Sequence, residues 1–246
     1  MIALHDVPER DKDSFVEKVR WLTRSHRLVS LADAHHRFGL DDRRLNVALT
    51  FDDGFAEHAT LVAPVLDDLN VPATFFVPSG SLDLSEDDAA RFAKSGLRRR
   101  GSFRFMSGQQ VKELAGHPLF EIGGHTRSHA DLGSIGDEGE LDAEIVRDKA
   151  ALEELIGAPL ERFAFPFGES THVSARALRT IEGAGYEAAF TIIPGFWSRR
   201  QNSLLARRDC LSPAAEEKVW DCSLRGGADA IGWIKHRRRL RALDAS

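Results

Sequence analysis

The stretch Asn46-Val47-Ala48-Leu49-Thr50-Phe51-Asp52-Asp53-Gly54 decides the fold. Its first six residues predict a strand, and the acidic pair followed by glycine halts it. Outward in both directions the same rhythm repeats. Upstream, Ile2 to His5 predicts a strand, followed by a helix through Phe15, Val19 and Leu22 at helical spacing. Downstream, a helix around Leu61 to Leu69 leads to Ala73-Thr74-Phe75-Phe76-Val77, a run of strand formers closed by Pro78.

The alternation continues to the end. Ser107 and Gln110 form a capping-box pattern opening a helix to Leu114. Phe120 to Ile122 is a brief strand running into Gly123-Gly124, and a long helix follows through Leu141, Ile145, Leu152 and Leu155 to Gly157. Strands are expected at Phe163–Phe165, Ala188–Ile192 and Leu204–Arg207, with a helix through Ala177, Leu178 and Ile181. Pro213 suits the first turn of a further helix, with Ser212 as its cap. Residues 81–105 break the pattern and predict a surface excursion of the kind that sometimes forms a lid. Repeated β-α alternation argues for parallel strands covered by helices. A closed or nearly closed β/α barrel is the favoured architecture, with a doubly wound open sheet as the alternative. In both, functional residues gather at the C-terminal ends of strands.

Composition excludes several classes. With 246 residues and 42% hydrophobic content the chain can bury a sizeable core, and no apolar run approaches a membrane span. The two cysteines, Cys210 and Cys222, lack the CxxC spacing of a zinc or redox pair and are expected as reduced, buried thiols. The net charge of −5 argues against a nucleic-acid binder. Two basic runs, Leu97-Arg98-Arg99-Arg100 and Lys235 to Arg241, read as a solvated loop and a solvated terminal helix face. The N-terminus carries no signal-peptide pattern, so a cytoplasmic location is expected. The oligomeric state is left open.

The chemistry-bearing residues sit at the expected strand ends. Asp52 and Asp53 are adjacent, and within a flat strand they would point to opposite faces. A twist at the terminus beside Gly54 lets both approach one site. There a metal resolves their repulsion, one Asp ligating and the other remaining an ionised base. The plainer alternative is a capping Asp plus a surface Asp. His125 and His129 stand four apart, at the spacing one helical turn aligns, after a glycine pair that suggests a tight turn or short helix. Imidazoles are favoured zinc ligands, and three protein ligands leave a catalytic position open. His26, His35, His36, His58, His117 and His236 are expected at the surface, and His172 at a helix start, with a place at the rim of the site as the lesser alternative. His5 ends the first strand and faces the same mouth. Phe196-Trp197, with Trp220 and Trp233, offers either core or an exposed apolar rim.

Thr50-Phe51-Asp52-Asp53-Gly54 resembles the first motif of the polysaccharide deacetylases, the NodB-homology domain of carbohydrate esterase family 4. His125-Thr126-Arg127-Ser128-His129 is similar to the second motif, and Phe163-Ala164-Phe165-Pro166-Phe167-Gly168 resembles the third. The resemblance covers residues 1–211, with 212–246 as a C-terminal helical extension. It implies a single-domain α/β fold, a distorted (β/α)7 TIM-like barrel. It also implies a divalent metal, zinc first with cobalt or nickel as alternatives, that serves hydrolysis of N-acetyl groups on an amino-sugar glycan.

Carried over by position, Asp53, His125 and His129 would hold the metal, Asp52 would be the general base, and the Phe167 N–H would stabilise the oxyanion. The chain departs from the pattern twice. Ala164 stands where an Arg commonly pairs with the catalytic Asp, and Leu205 to Leu211 lacks the fifth-motif histidine. A permuted branch that includes poly-N-acetylglucosamine deacetylases carries its histidine near the N-terminus, and Leu4-His5-Asp6-Val7 is similar to that strand. His5 would then be the general acid and Arg207 the replacement for the missing Arg. The alternatives are the same site acting on another amide or an O-acetyl ester, or a non-catalytic carbohydrate-binding domain.

Overall fold

The computed structural model describes residues 1–36, 44–197 and 201–244, without the side chains of 35, 36, 230, 231, 233 and 244. In chain order the elements are β1 (Ile2–Leu4), α1 (Lys12–Ser25), β2 (Arg27–Leu28), α2 (Leu31–His36), β3 (Asn46–Val47) and β4 (Leu49–Phe51). There follow α3 (Ala63–Asp68), β5 (Ala73–Val77), α4 (Glu86–Ser95), α5 (Gly108–Ala115), β6 (Phe120–Gly124) and α6 (Glu138–Ile156). The last are β7 (Arg162–Ala164), α7 (Ala175–Gly183), β8 (Ala188–Phe190), β9 (Asp209–Cys210), α8 (Glu217–Leu224) and α9 (Asp229–Asp244).

Seven strands form one sheet in the order β8-β7-β6-β5-β4-β1-β9, and every pairing is parallel. The sheet curls into an open, distorted barrel wrapped by helices. Its strands are short, and β1, β4, β5, β7 and β8 are buried along their whole length, as parallel strands covered on both faces must be. Aromatic side chains fill much of the core: Phe15, Phe51 and Phe75 pack ring on ring, and Phe163 meets Phe165 edge to face. Burying a side chain of this size stabilises by roughly 1.5–3 kcal/mol, so this aromatic set is a large part of what holds the barrel.

The two sheet edges are linked by a single run of chain. Ala206 bridges in parallel to Phe190 of β8, and three residues later Asp209 begins the pairing with β1. Ala206 N–H donates to Ala189 and Leu211 N–H donates to Ala3, so the run spans the gap between β8 and β1. The strand expected at Leu204–Arg207 is therefore displaced. Residues Ser203–Leu205 form a 3-10 turn, and pairing begins only where the chain reaches β1. The strand expected at 46–51 is split at Ala48. Asn46 and Val47 pair with Arg27 and Leu28 in a separate two-stranded sheet, while Leu49 to Phe51 enter the barrel.

Helix signals read from sequence have local physical counterparts. Ser107 and Gln110 make the reciprocal capping box, and α6 stops at Gly157, whose left-handed φ of 70° suits glycine. The helix expected at Pro213 begins later, at Glu217. The Ser212 hydroxyl accepts from Ala214 N–H in the intervening turn instead. Within 81–105, α4 is capped by Ser85 and buries Ala89 and Ala93, so this segment is a packed wall rather than a detached lid. The C-terminal α9 docks on the turn after β7: His236 meets the Ser170 hydroxyl at 2.8 Å, and Lys235 pairs with Glu169. Among the described residues no helix is long and apolar enough to cross a membrane.

Candidate metal centre

The chain reverses direction directly after β4, and that reversal assembles the site. Asp53 has φ 76° and Gly54 φ 70°, both left-handed. The turn breaks the strand's alternation, so Asp52 and Asp53 are both buried at the barrel mouth, as the adjacent pair requires. The histidine pair follows β6, but in an irregular turn and not the helical turn its spacing suggests. Thr126 and His129 are left-handed, and the Thr126 hydroxyl accepts from Ala130 N–H.

Asp53 Oδ1 lies 3.3 Å from His125 Nε2 and 3.1 Å from His129 Nε2. One ligand atom from each of the three residues falls within 4.8 Å of the others, and all three side chains are buried. Each ring has its other nitrogen occupied: His125 Nδ1 donates to the Ala164 carbonyl at 2.8 Å and His129 Nδ1 to the Gly96 carbonyl at 3.1 Å. Those bonds fix the tautomers and leave the Nε2 lone pairs facing the carboxylate. Asp53 Oδ1 and His125 Nε2 are correspondingly buried without a hydrogen-bond partner among the described residues. Lone pairs converging in a dry pocket repel unless a cation lies between them, so the donor set fits a divalent metal.

Asp52 faces a different partner. Arg208 grips it in a fork, Nη1 to Oδ1 at 2.7 Å and Nη2 to Oδ2 at 2.8 Å. The guanidinium also donates to the Thr50 hydroxyl and the Thr191 carbonyl, which orients the fork inside the barrel. Burial, the largest single influence, pushes the Asp52 carboxyl up, but the Arg208 charge and hydrogen bonds together with His125 and His5 outweigh it, and the net shift is below the usual carboxylate range. Asp52 is thus held ionised.

This corrects the expectation for Arg207. In the run that links the sheet edges, Ala206 and Arg208 share the inward face and are fully buried, while Arg207 lies against Gly195 outside it. Two-residue alternation decides between neighbouring arginines. The sequence carries that signal only once the bridge at Ala206 fixes the register.

His5 stands at the end of β1, its Nδ1 3.7 Å from the Cys210 sulfur and its carbonyl accepting from His58 Nε2 at 2.8 Å. Burial pushes the imidazole down, but Cys210, Asp53 and Asp52 together raise it to about 10. A cavity of about 530 Å³ opens beside it, lined by His5, Asp6, Arg10, Arg99, Cys210 and Ser212. Phe167 has φ 60°, and its N–H donates no hydrogen bond among the described residues. Its ring meets the His129 ring edge on at 4.7 Å.

Several other expectations change. His58 is fully buried among Phe51, Phe55 and Phe75, and His26 and His236 are buried as well. Both cysteines are free but exposed. Trp220 is core, its Nε1 donating to the Ser212 carbonyl, and Phe196 is exposed. The side chains of His35, His36 and Trp233 lie outside the described residues.

Comparison with known proteins agrees with this geometry. A poly-beta-1,6-N-acetyl-D-glucosamine N-deacetylase of Escherichia coli K12 is 27% identical over 245 residues, covering 84% of this chain and 35% of that protein. The chain thus spans about a third of the length of that relative. Among solved structures, the Streptococcus pyogenes deacetylase PplD in complex with acetate superposes with a TM-score of 0.69 at 17% identity, over 92% of this chain and 95% of the other. IcaB from Ammonifex degensii gives 0.67 at 20%, over 90% and 93%. At such identities the likeness is one of fold. The polysaccharide deacetylase family model matches residues 40–189, a span that contains all three converging donors, and the chain belongs to that family.

Proposed function

We propose that this chain is a metal-dependent hydrolase that removes N-acetyl groups from an amino-sugar glycan, releasing acetate and a free amine. One observation carries the reading: a buried carboxylate oxygen of Asp53 faces two imidazole nitrogens, with the ionised Asp52 in the adjacent position. Two imidazoles and one carboxylate with an open coordination position form a catalytic zinc donor set, and cobalt and nickel suit the same ligands. The cation, when bound, would polarise the acetyl carbonyl and lower the pKa of a water from 15.7 towards about 7.

The chain's own residues then divide the work. Asp52 takes the proton of the attacking water, with Arg208 fixing both its charge and its orientation. The Phe167 N–H, which has no acceptor among the described residues, donates to the developing oxyanion, a role worth roughly 3–4 kcal/mol per donor in other enzymes. His5, protonated at neutral pH, gives its proton to the departing amine, which leaves poorly as an anion. The cavity beside His5 gives the sugar room. The E. coli relative, a deacetylase of poly-N-acetylglucosamine, supports an N-acetylated amino sugar as substrate class. We assign residues 1–211 to the catalytic domain and 212–246 to an extension that buttresses it.

Loading the metal-free protein with zinc, cobalt or nickel and measuring acetate release from N-acetylglucosamine oligomers tests this. Release from the oligomers, lost in Asp52→Asn, is the expected result. Release only from O-acetylated sugars overturns the amide assignment, and metal binding without release from either overturns hydrolysis.

A further inference from the structure

Left-handed backbone in a non-glycine residue is strained and persists where the surroundings impose it, often at functional sites. Among the described residues, Asp53, Thr126, His129 and Phe167 have such backbones and belong to the metal centre. Asn70 and Asp83 also do, and their short polar side chains tolerate it. Arg98, with φ 55°, is the remaining one, and it is a long residue without that excuse.

Its side chain explains the placement. The Arg98 guanidinium lies over the Phe167 ring at 4.3 Å, and Nη2 reaches Asp131 Oδ2 at 3.4 Å. Asp131 is itself fixed by Gly133 N–H at 3.1 Å. The Phe167 ring touches His129 edge on at 4.7 Å and His172 at 5.3 Å. Phe167 is therefore enclosed by the two imidazoles and the guanidinium. Two residues before Arg98, the Gly96 carbonyl accepts from His129 Nδ1.

We propose that Arg98 is a positioning residue: from the wall formed by 81–105 it clamps the Phe167 ring and so aims the Phe167 N–H into the site. The inference rests on the oxyanion role given to that N–H above. Arg98 touches neither the donors nor the reacting atoms. A cation over an aromatic face is attracted by the ring quadrupole, and the fixed backbone of Arg98 gives that attraction its direction.

The test pairs turnover with a readout that needs none. Arg98→Ala and Arg98→Gly should each lower kcat about tenfold with KM within about twofold, the pattern of an interaction felt only in the transition state. Arg98→Lys keeps a cation over the ring and should recover most of the loss. Arg98→Gly also relieves the left-handed backbone, so a purely structural Arg98 would give a Gly variant of unchanged kcat and equal or higher Tm. In the metal-free protein, the Phe167 amide resonance should shift or broaden in the Ala and Gly variants, return in Lys, and stay fixed in the surface control Arg91→Ala. An unmoved Phe167 amide, or kcat within twofold of the parent in both Ala and Gly, overturns the proposal. A moved amide in a chain whose parent releases no acetate keeps the positioning and rejects the deacetylase reading instead.

Discussion

Both carboxylate oxygens of Asp52 are held by one guanidinium, that of Arg208, at 2.7 and 2.8 Å. The two residues lie 156 positions apart in the chain and meet because β4 and β9, which they adjoin, both flank β1. Both are buried, so the pair is neutral as a unit and stays ionised as two halves.

Removing one half exposes the dependence. Arg208→Met should destabilise the fold by about 3–5 kcal/mol, because it strands a buried carboxylate. Adding Asp52→Asn to Arg208→Met should recover much of that loss, since no charge is then left unpaired. Denaturant titrations of the two single variants and the double variant give the coupling, and additive single effects would deny that the pair acts as a unit.

A second expectation concerns the metal. Ligand binding to the native state alone stabilises by RT ln(1 + [L]/Kd), about 4 kcal/mol at a thousandfold excess over Kd. For a chain of this size that is a rise in Tm of about 8–16 °C. Zinc should produce it in the parent, while His129→Ala and Asp53→Asn should show little or none. A rise that survives both substitutions would place the cation elsewhere.

Legibility in the sequence followed contiguity. Asp52, Asp53, His125 and His129 were readable because each pair lies within five residues at a strand end, and strand ends are where such folds collect chemistry. Arg208 was not, because one residue of register in an irregular run separates it from Arg207, and the bridge at Ala206 that sets the register has no sequence signature. The Gly96 carbonyl was invisible for a different reason: a backbone acceptor is identical in every residue. His58 looked like a polar helical position, yet its Nε2 partner is the carbonyl of His5, a contact 53 residues away in sequence. The family match begins at residue 40 and ends at 189, so His5 and Arg208 both lie outside it, and the fold alone returns them to the site.

Gly96 gives a sharper test of the wall formed by 81–105. A Cβ there would sit 2.7 Å from the Ser128 carbonyl and 3.4 Å from the His129 Cβ. Gly96→Ala must move one of these backbones, and with it the acceptor that holds His129 Nδ1. Metal affinity should fall about 10–100-fold, the usual cost of disturbing a ligand's outer partner. Chelator competition measures it. An unchanged affinity would mean that the Gly96 carbonyl does not orient the ligand.

The last expectation is a pH dependence at His5. Its folded pKa of about 10 exceeds the ordinary histidine value of 6.5: burial opposes the charge, but the Cys210 sulfur and the Asp53 and Asp52 carboxylates favour it more. A raised pKa means the folded state binds the proton more tightly than the unfolded state does. The stability so gained is complete below pH 6.5 and is lost as pH rises towards 10. In the metal-free protein, His5→Gln should therefore lower Tm at pH 6 and converge on the parent as pH approaches 10. Cys210→Val removes the sulfur from Nδ1 and should move that convergence to lower pH, while Cys210→Ser, which keeps a polar partner, should move it less. If parent and His5→Gln differ by the same amount at pH 6 and pH 10, the His5 contribution is packing and not charge, and the imidazole loses its claim to carry the proton for the departing amine.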